Sequence, residues 1–315
     1  MALKQVLEMS DFLERPSIQV DELKKMYVER GLEAVEFTSR RAKGSRGETQ
    51  FVKIIIRGNA KRSKRRPAPT LGIIGRLGGI GARPHKIGLV SDADGAVMAL
   101  SAALKLVEMR SRGDVLRGNV IIATHLSHCS PIIPHRPVPF MGSPVSTEVM
   151  NKHEVDRAMD AILSVDTTKG NRIINHRGFA ISPTVKDGYI LRVSEDLLDI
   201  MEQVTGRLPV VFPLTTQDIT PYGNNIYHLN SILQPATATH APVVGVAITT
   251  EVAVPGCATG ASHAVDIEAA VRFAVEVAKA FTGGRCAFYD QKEYSRLLAL
   301  YGSMERLKTL GKSRK

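Results

Sequence analysis

The chain has no tryptophan, 5% aromatic residues and three cysteines in 315 residues. Cys129, Cys257 and Cys286 are an odd number without CxxC spacing, which excludes a disulfide framework and a cysteine-only zinc site. No apolar run approaches the about 20 residues of a membrane-spanning helix. The opening segment MALKQVLEMSDFLERP is charged and amphipathic, with no apolar signal core or small-residue cleavage site, so the expectation is a cytoplasmic, non-secreted protein. The glycine-rich GRLGGIG lacks both GxGxxG spacing and a Lys-Ser/Thr ending, which argues against Rossmann and Walker nucleotide loops. Internal repeats and low-complexity tracts are absent.

What is present is an ordinary globular composition, 43% hydrophobic and 23% charged. A chain of this length buries roughly three-quarters of the surface its unfolded form exposes. We expect one domain over 1–315, with a small excursion at 170–240 and a basic tail from about 304. The net charge of +11 is concentrated in two places, RGNAKRSKRR at 57–66 and RLKTLGKSRK at 306–315. Together these segments hold eleven basic residues and no acid, so the remainder of the chain is balanced. Neither segment carries aromatics for base stacking, which argues against nucleic acid and for a solvated loop and a tail.

Apolar spacing predicts helices at the N-terminus, on Leu3, Val6, Leu7 and Leu13 and again from Val20 to Tyr27. Continuous apolar runs predict strands at Phe51–Ile56, Leu71–Gly75, Val120–Thr124, Ile162–Val165, Tyr189–Val193, Val210–Phe212 and Val243–Ile248. Helices are expected at Gly95–Leu106, capped by Asp94, at Ser194–Val204, capped by Ser194, and at Asp266–Phe281, capped by Asp266. Pro131–Pro144 and Asp218–Thr239 read as long loops. Buried strands separated by helices define an α/β fold, with a mostly parallel central sheet and helices on both faces.

Ligands of such sheets sit at the carboxyl ends of the strands. Arg76 follows one predicted strand, His125 and His128 follow another, and Asp166 ends a third. Asp92 and Asp94 precede the Ala-rich helix, and His263 precedes the last long one. Carboxylates and imidazoles in that arrangement suit a divalent cation, zinc or manganese. Each residue also has a plainer role: Asp92 and Asp94 as helix caps, Asp166 as a turn former, the histidines as loop or core polarity.

Long blocks, LGIIGRLGGIGARP, VSDADGA, VDTTKGNRIINHRGFAISPTVKDGYILRVSEDLLDIMEQVTGRLP, TTQDITPYGN and GCATGASHAVDIE, resemble an uncharacterised prokaryotic family, domain of unknown function eleven-seventy-seven. A more distant resemblance, on shorter motifs between about residues 3 and 282, is to the zinc-dependent exopeptidases with two co-catalytic metals. It implies their three-layer, phosphorylase/hydrolase-like sandwich. It also implies Asp92 as the bridging carboxylate, Asp166 as the later aspartate ligand and His263 as the late histidine. Where that superfamily has His-x-Asp, this chain has Arg76-Leu77-Gly78; where it has Glu-Glu, this chain has Ser127-His128.

The resemblance therefore implies a metal-dependent hydrolase of a small peptide or amide, homo-oligomeric and without membrane contact. A zinc or manganese ion on Asp92, Asp166, His263 and His128, with His85 as a substitute ligand, would polarise the carbonyl and lower the pKa of its water to about 7. His125 or His128 would act as general base, with Asp94 beside them, and Arg76, Asn224 and Asn225 would hold the substrate. The alternative is a non-catalytic or mono-metal descendant that binds a small anionic metabolite or peptide, with the Arg76 guanidinium between Asp92 and Asp166 in place of a metal.

Overall fold

The computed structural model describes residues 1–308 except 16, 31–33, 61–67, 77, 79–87, 217–225 and 258. Helices α1 (Leu3–Leu13) and α2 (Val20–Glu29) bury the apolar faces that their spacing predicts, Val6, Met9 and Leu13 on one and Leu23 and Tyr27 on the other. A hairpin of β1 (Val35–Gly44) and β2 (Gly47–Ile56) follows. Next come β3 (Leu71–Gly75), α3 (Asp94–Ser111), β4 (Val120–Leu126), the short β5 (Ile132–Ile133) and β6 (Phe140–Met141), α4 (Thr147–Glu154) and β7 (Ala161–Thr168). Strands β8 (Gly178–Ile181), β9 (Val185–Lys186) and β10 (Tyr189–Ile190) lead to α5 (Glu195–Thr205), and then β11 (Val243–Thr249), α6 (Ala264–Thr282) and α7 (Gln291–Tyr301).

The sheet runs β1-β2-β4-β3-β7-β11-β9-β10, with β8 also on β11. Its four middle strands, β4, β3, β7 and β11, are parallel; the hairpin on one side and β8 and β9 on the other are antiparallel. The middle strands are the apolar runs anticipated from sequence, because a strand covered on both faces needs no polar alternation. Helices α1, α3, α5 and α6 pack together over one face. Short α4 and a 3-10 segment, Ser231–Thr237, lie over the other.

Register fixes what the strand ends deliver. Gly75 pairs with Thr124 on β4 and Val165 on β7, so Arg76, His125 and Asp166 form one row across three strands. Alternation along the strands puts that row on the face of Ile74, Ile121 and Ile162, the side covered by the 3-10 segment and α4. A second constraint brings Asp92 and Asp94 to the same place. A Cβ on Gly75 would lie 2.3 Å from the Gly95 carbonyl oxygen, and one on Gly95 would lie 2.4 Å from the Arg76 carbonyl oxygen. Only glycine at both positions lets α3 begin directly against the end of β3.

Several local expectations change. Ser194 caps α5 through Leu197 N at 3.3 Å. Asp94 and Asp266 do not cap: Ala93 and His263 hold the cap positions of α3 and α6, and neither makes a side-chain cap bond. The Asp94 carboxylate is turned inward instead, to Lys169 and Ser262. The strand expected at Val210–Phe212 is a single bridge from Val211 to Ile181, and the one at Tyr189–Val193 shortens to Tyr189–Ile190. Pro131–Pro144 contains the β5–β6 pair. Most of the basic segment 57–66 and the end of the C-terminal one lie outside the described residues. Among the described residues no helix is long and apolar enough to cross a membrane.

The Gly75–Gly95 approach gives a direct test. Gly75→Ala should lower unfolding free energy in urea by about 1–3 kcal/mol, as overpacking of a tight interior does. An unchanged midpoint would show that α3 does not rest on β3 as described.

Candidate functional site

A cavity of about 470 Å³ opens at the carboxyl ends of the parallel strands. That is where the strand order reverses about β3, the usual ligand crevice of an open α/β sheet. Among the described residues its walls include Arg76 after β3, Asp92 before α3, and Asp166, Lys169 and Asn171 at and beyond the end of β7. The proline-rich segment around β5 and β6 and the 3-10 segment, with Gln234, close it.

Beyond the exposed Arg46 and Glu148 of its lining, four buried carboxylates and two buried cations lie at or just behind the walls, and they pair unequally. Asp94 is fully buried; it forms an ion pair with Lys169 and accepts from Ser262 Oγ at 2.5 Å. Burial nonetheless pushes its carboxyl above the ordinary range against the pull of Lys169. Glu154, also fully buried, lies 2.8 Å from Arg76 Nη1, an ion pair off hydrogen-bond angles, and 2.6 Å from His125 Nδ1. Burial would raise Glu154, but Arg76 and His125 outweigh it and hold its carboxyl below the ordinary range.

Asp92 and Asp166 have no ion-pair partner among the described residues. Asp92 Oδ2 accepts from Met141 N at 3.1 Å, and Asp166 Oδ1 accepts from Thr167 N at 2.7 Å. A Cβ on Gly256 would stand 2.6 Å from Asp92 Oδ1, so only glycine there lets the backbone pass this close to the carboxylate. Burial raises both carboxyls to about 7, and the Asp92 charge adds to the shift at Asp166. Two acids that repel one another in a dry wall each hold a proton more tightly or take a cation between them.

Arg76 departs from the expected bridge between Asp92 and Asp166. Its Nη2 donates to Asn151 Oδ1 at 2.7 Å, and its charge is met by Glu154, although Asp166 still feels it. Both partners come from α4, which the apolar pattern does not reveal: TEVMNKHE is short and polar, and only Ser146 in front of it, accepting from Val149 N at 3.4 Å, marks its start. Sequence reasoning thus missed Glu154 and Asn151.

The histidines are dispersed. His125 is 2% exposed, beneath the site on β4, against Glu154 and the Phe51 ring. His128 is half-buried two residues past β4. Neither is among the cavity walls. His263 is half-exposed at the start of α6, 3.5 Å from Asp266, and its charge reaches Asp94. Among the described residues the imidazole that lines the cavity is His135, edge-on to Phe140. His85, Asn224 and Asn225 lie outside the described residues.

Among the described residues, the one group of three or more potential ligands with atoms within 4.8 Å of each other is elsewhere: Asp187, His240 and Glu305. Asp187 is partly buried and the other two are exposed, and Lys186 at 3.1 Å and Lys308 at 3.5 Å already neutralise Asp187. Tyr294 also donates to Asp187 at 2.9 Å. Those cations oppose a metal there.

The architecture is that of an aminopeptidase fold. A mutant of tomato leucine aminopeptidase superposes with a TM-score of 0.53 at 12% identity, covering 87% of this chain and 61% of that one. This chain thus spans about three-fifths of the tomato enzyme. The LapA aminopeptidase of Legionella pneumophila gives 0.49 at 12% identity, over 92% of this chain and 71% of that one. No curated protein matches. The family described as "Protein of unknown function (DUF1177)" matches residues 40–311, and the chain belongs to it.

Two measurements probe the electrostatics. Glu154→Ala strands the Arg76 guanidinium in the interior and should destabilise the fold by about 3–5 kcal/mol; a loss under about 1 kcal/mol, the scale of an exposed pair, would mean that the pair is solvated. For Asp92 the folded carboxyl binds its proton more tightly than the unfolded one, so its contribution to stability is greatest in acid and falls as pH rises toward about 7. In chelator, the unfolding free energy of wild type minus that of Asp92→Asn should therefore decline between pH 4.5 and 7.5. A flat or rising difference would contradict the assignment.

Proposed function

We propose that this protein is a divalent-metal-dependent hydrolase of a small peptide or amide, with Asp92 and Asp166 as the carboxylates that hold the cation. The observation that carries this reading is charge. Arg76 and Lys169 are each engaged by their own carboxylate, which leaves Asp92 and Asp166 together and, among the described residues, without an ion-pair partner.

The donor set fits such an ion on its carboxylate side. With His128 and His263 away from the cavity walls, it is a set of oxygen donors, which favours manganese over zinc. The chemistry supplied by a bound divalent cation is polarisation of the scissile carbonyl and activation of water near neutral pH. The chain's own residues do the rest. Glu154 and Asn151 fix the Arg76 guanidinium, Lys169 and Ser262 fix Asp94 against the start of α3, and His135 is the wall imidazole able to take a proton. The rival reading, Arg76 standing in for the metal, is disfavoured because Glu154 already neutralises that charge.

Elemental analysis of protein purified without chelator tests the proposal. Manganese or zinc near one per chain, lost in Asp92→Asn and in Asp166→Asn while circular dichroism is unchanged, is the expected result. Metal-free protein that takes up neither ion on dialysis would overturn it.

A further inference from the structure

The sheet ends at β1, a strand of 10 residues whose only strand partner among the described residues is β2. Natural sheets blunt such an edge by shortening it, breaking it with proline or a bulge, or covering it. Among the described residues β1 has none of these. It holds no proline, its register with β2 is unbroken from Val35 to Gly44, and it is exposed except at the partly buried Val35, Phe37 and Ala42. The remaining device is charge, supplied by Arg40, Arg41 and Lys43. Charge opposes any pairing that sets like groups against each other, and so it selects a register.

The ladder shows which backbone groups the edge presents. Arg57 N donates to the Ala34 carbonyl oxygen at 3.2 Å, in line with the β1–β2 register. Antiparallel ladders alternate, so Ala34 and every second residue after it turn N–H and C=O toward β2. Val35, Phe37, Ser39, Arg41 and Lys43 therefore turn theirs outward. Their side chains share the face of Phe37, whose ring lies 6.2 Å from that of Tyr27 on α2.

We propose that β1 pairs antiparallel with β1 of a second copy of this chain, about a two-fold axis through Ser39, so that one sheet runs through both. A two-fold axis perpendicular to the sheet keeps each face on its own side, so each residue meets one of its own face. The pairing that uses all the outward groups sets Val35 opposite the partner's Lys43, Phe37 opposite the partner's Arg41 and Ser39 opposite its own copy. It forms about ten backbone hydrogen bonds. No like charges stand directly opposite in that register. Arg41 and Lys43 can lay their alkyl stems on Phe37 and Val35 across the axis, and Arg40 meets Thr38. Glu36, which also pairs with Arg57 at 2.6 Å, stands diagonal to the partner's Arg40. Centring on Arg40 instead would oppose two guanidinium groups and leave Val35 unpaired. This interface neither needs nor supplies the metal site, so it stands or falls apart from the hydrolase reading.

Sedimentation equilibrium of the full chain across the micromolar range tests the pairing, with a dimer expected. Ser39→Pro removes an N–H from the centre of the open edge and none from the β1–β2 ladder. It should weaken dimerisation at least about tenfold with circular dichroism unchanged. Ser39→Cys sets two thiols across the axis on Cα atoms about 5.5 Å apart, within disulfide reach. Mild oxidation should therefore give a covalent dimer, beyond any that wild type, with its exposed Cys129, or Arg41→Cys gives. Crosslinking reads the register whether or not the proline variant folds. A wild-type monomer throughout, a dimer that Ser39→Pro leaves as tight, or crosslinking through Arg41→Cys equal to that through Ser39→Cys would overturn the inference.

Discussion

The site depends on two buried carboxylates that pair with no cation among the described residues. Asp92 and Asp166 approach from different elements, one from the turn before α3 and one from the last part of β7, and each is held by a backbone N–H. The other buried charges nearby are paired. Lys169 is committed to Asp94 and Arg76 to Glu154, in pairs whose members are almost wholly removed from water. A buried pair of that kind adds little net stability. Here the two pairs hold both cations away from Asp92 and Asp166.

The fold supplies this arrangement through register and close approach. One row across β3, β4 and β7 delivers Arg76, His125 and Asp166 to the same face, and the Gly75–Gly95 contact sets the start of α3, with Asp92 and Asp94, above it. Helix α4 then lays Glu154 and Asn151 over Arg76. The chain shares its architecture with aminopeptidases.

Much of this was legible in the linear chain. The parallel strands announce themselves as continuous apolar runs, and the polar residues immediately after them are the ones that reach the cavity, Arg76 and Asp166 among them. Asp92 was legible from its place before an Ala-rich helix. What stayed hidden has physical reasons. Strand β1, VEFTSRRAKG, is an edge strand that is largely exposed and carries no apolar run. Helix α4 is eight residues long and largely polar, and its value lies in tertiary contacts of Glu154 that no spacing encodes. The surroundings of the histidines stayed hidden for the same reason. The chain order that suggests a general base at His125 and a ligand at His263 does not say that His125 turns inward to Glu154 or that His263 stands half in solvent.

The central claim is that Asp92 and Asp166 exchange protons for a divalent cation. Calorimetric titration of manganese into metal-free protein at pH 6, in two buffers of different ionisation enthalpy, counts the protons released. With both carboxyls raised to about 7, binding should release about one to two protons, and Asp92→Asn should reduce the number. Manganese binding with no proton release would show that the two carboxylates are already ionised, or uninvolved, and would contradict the account.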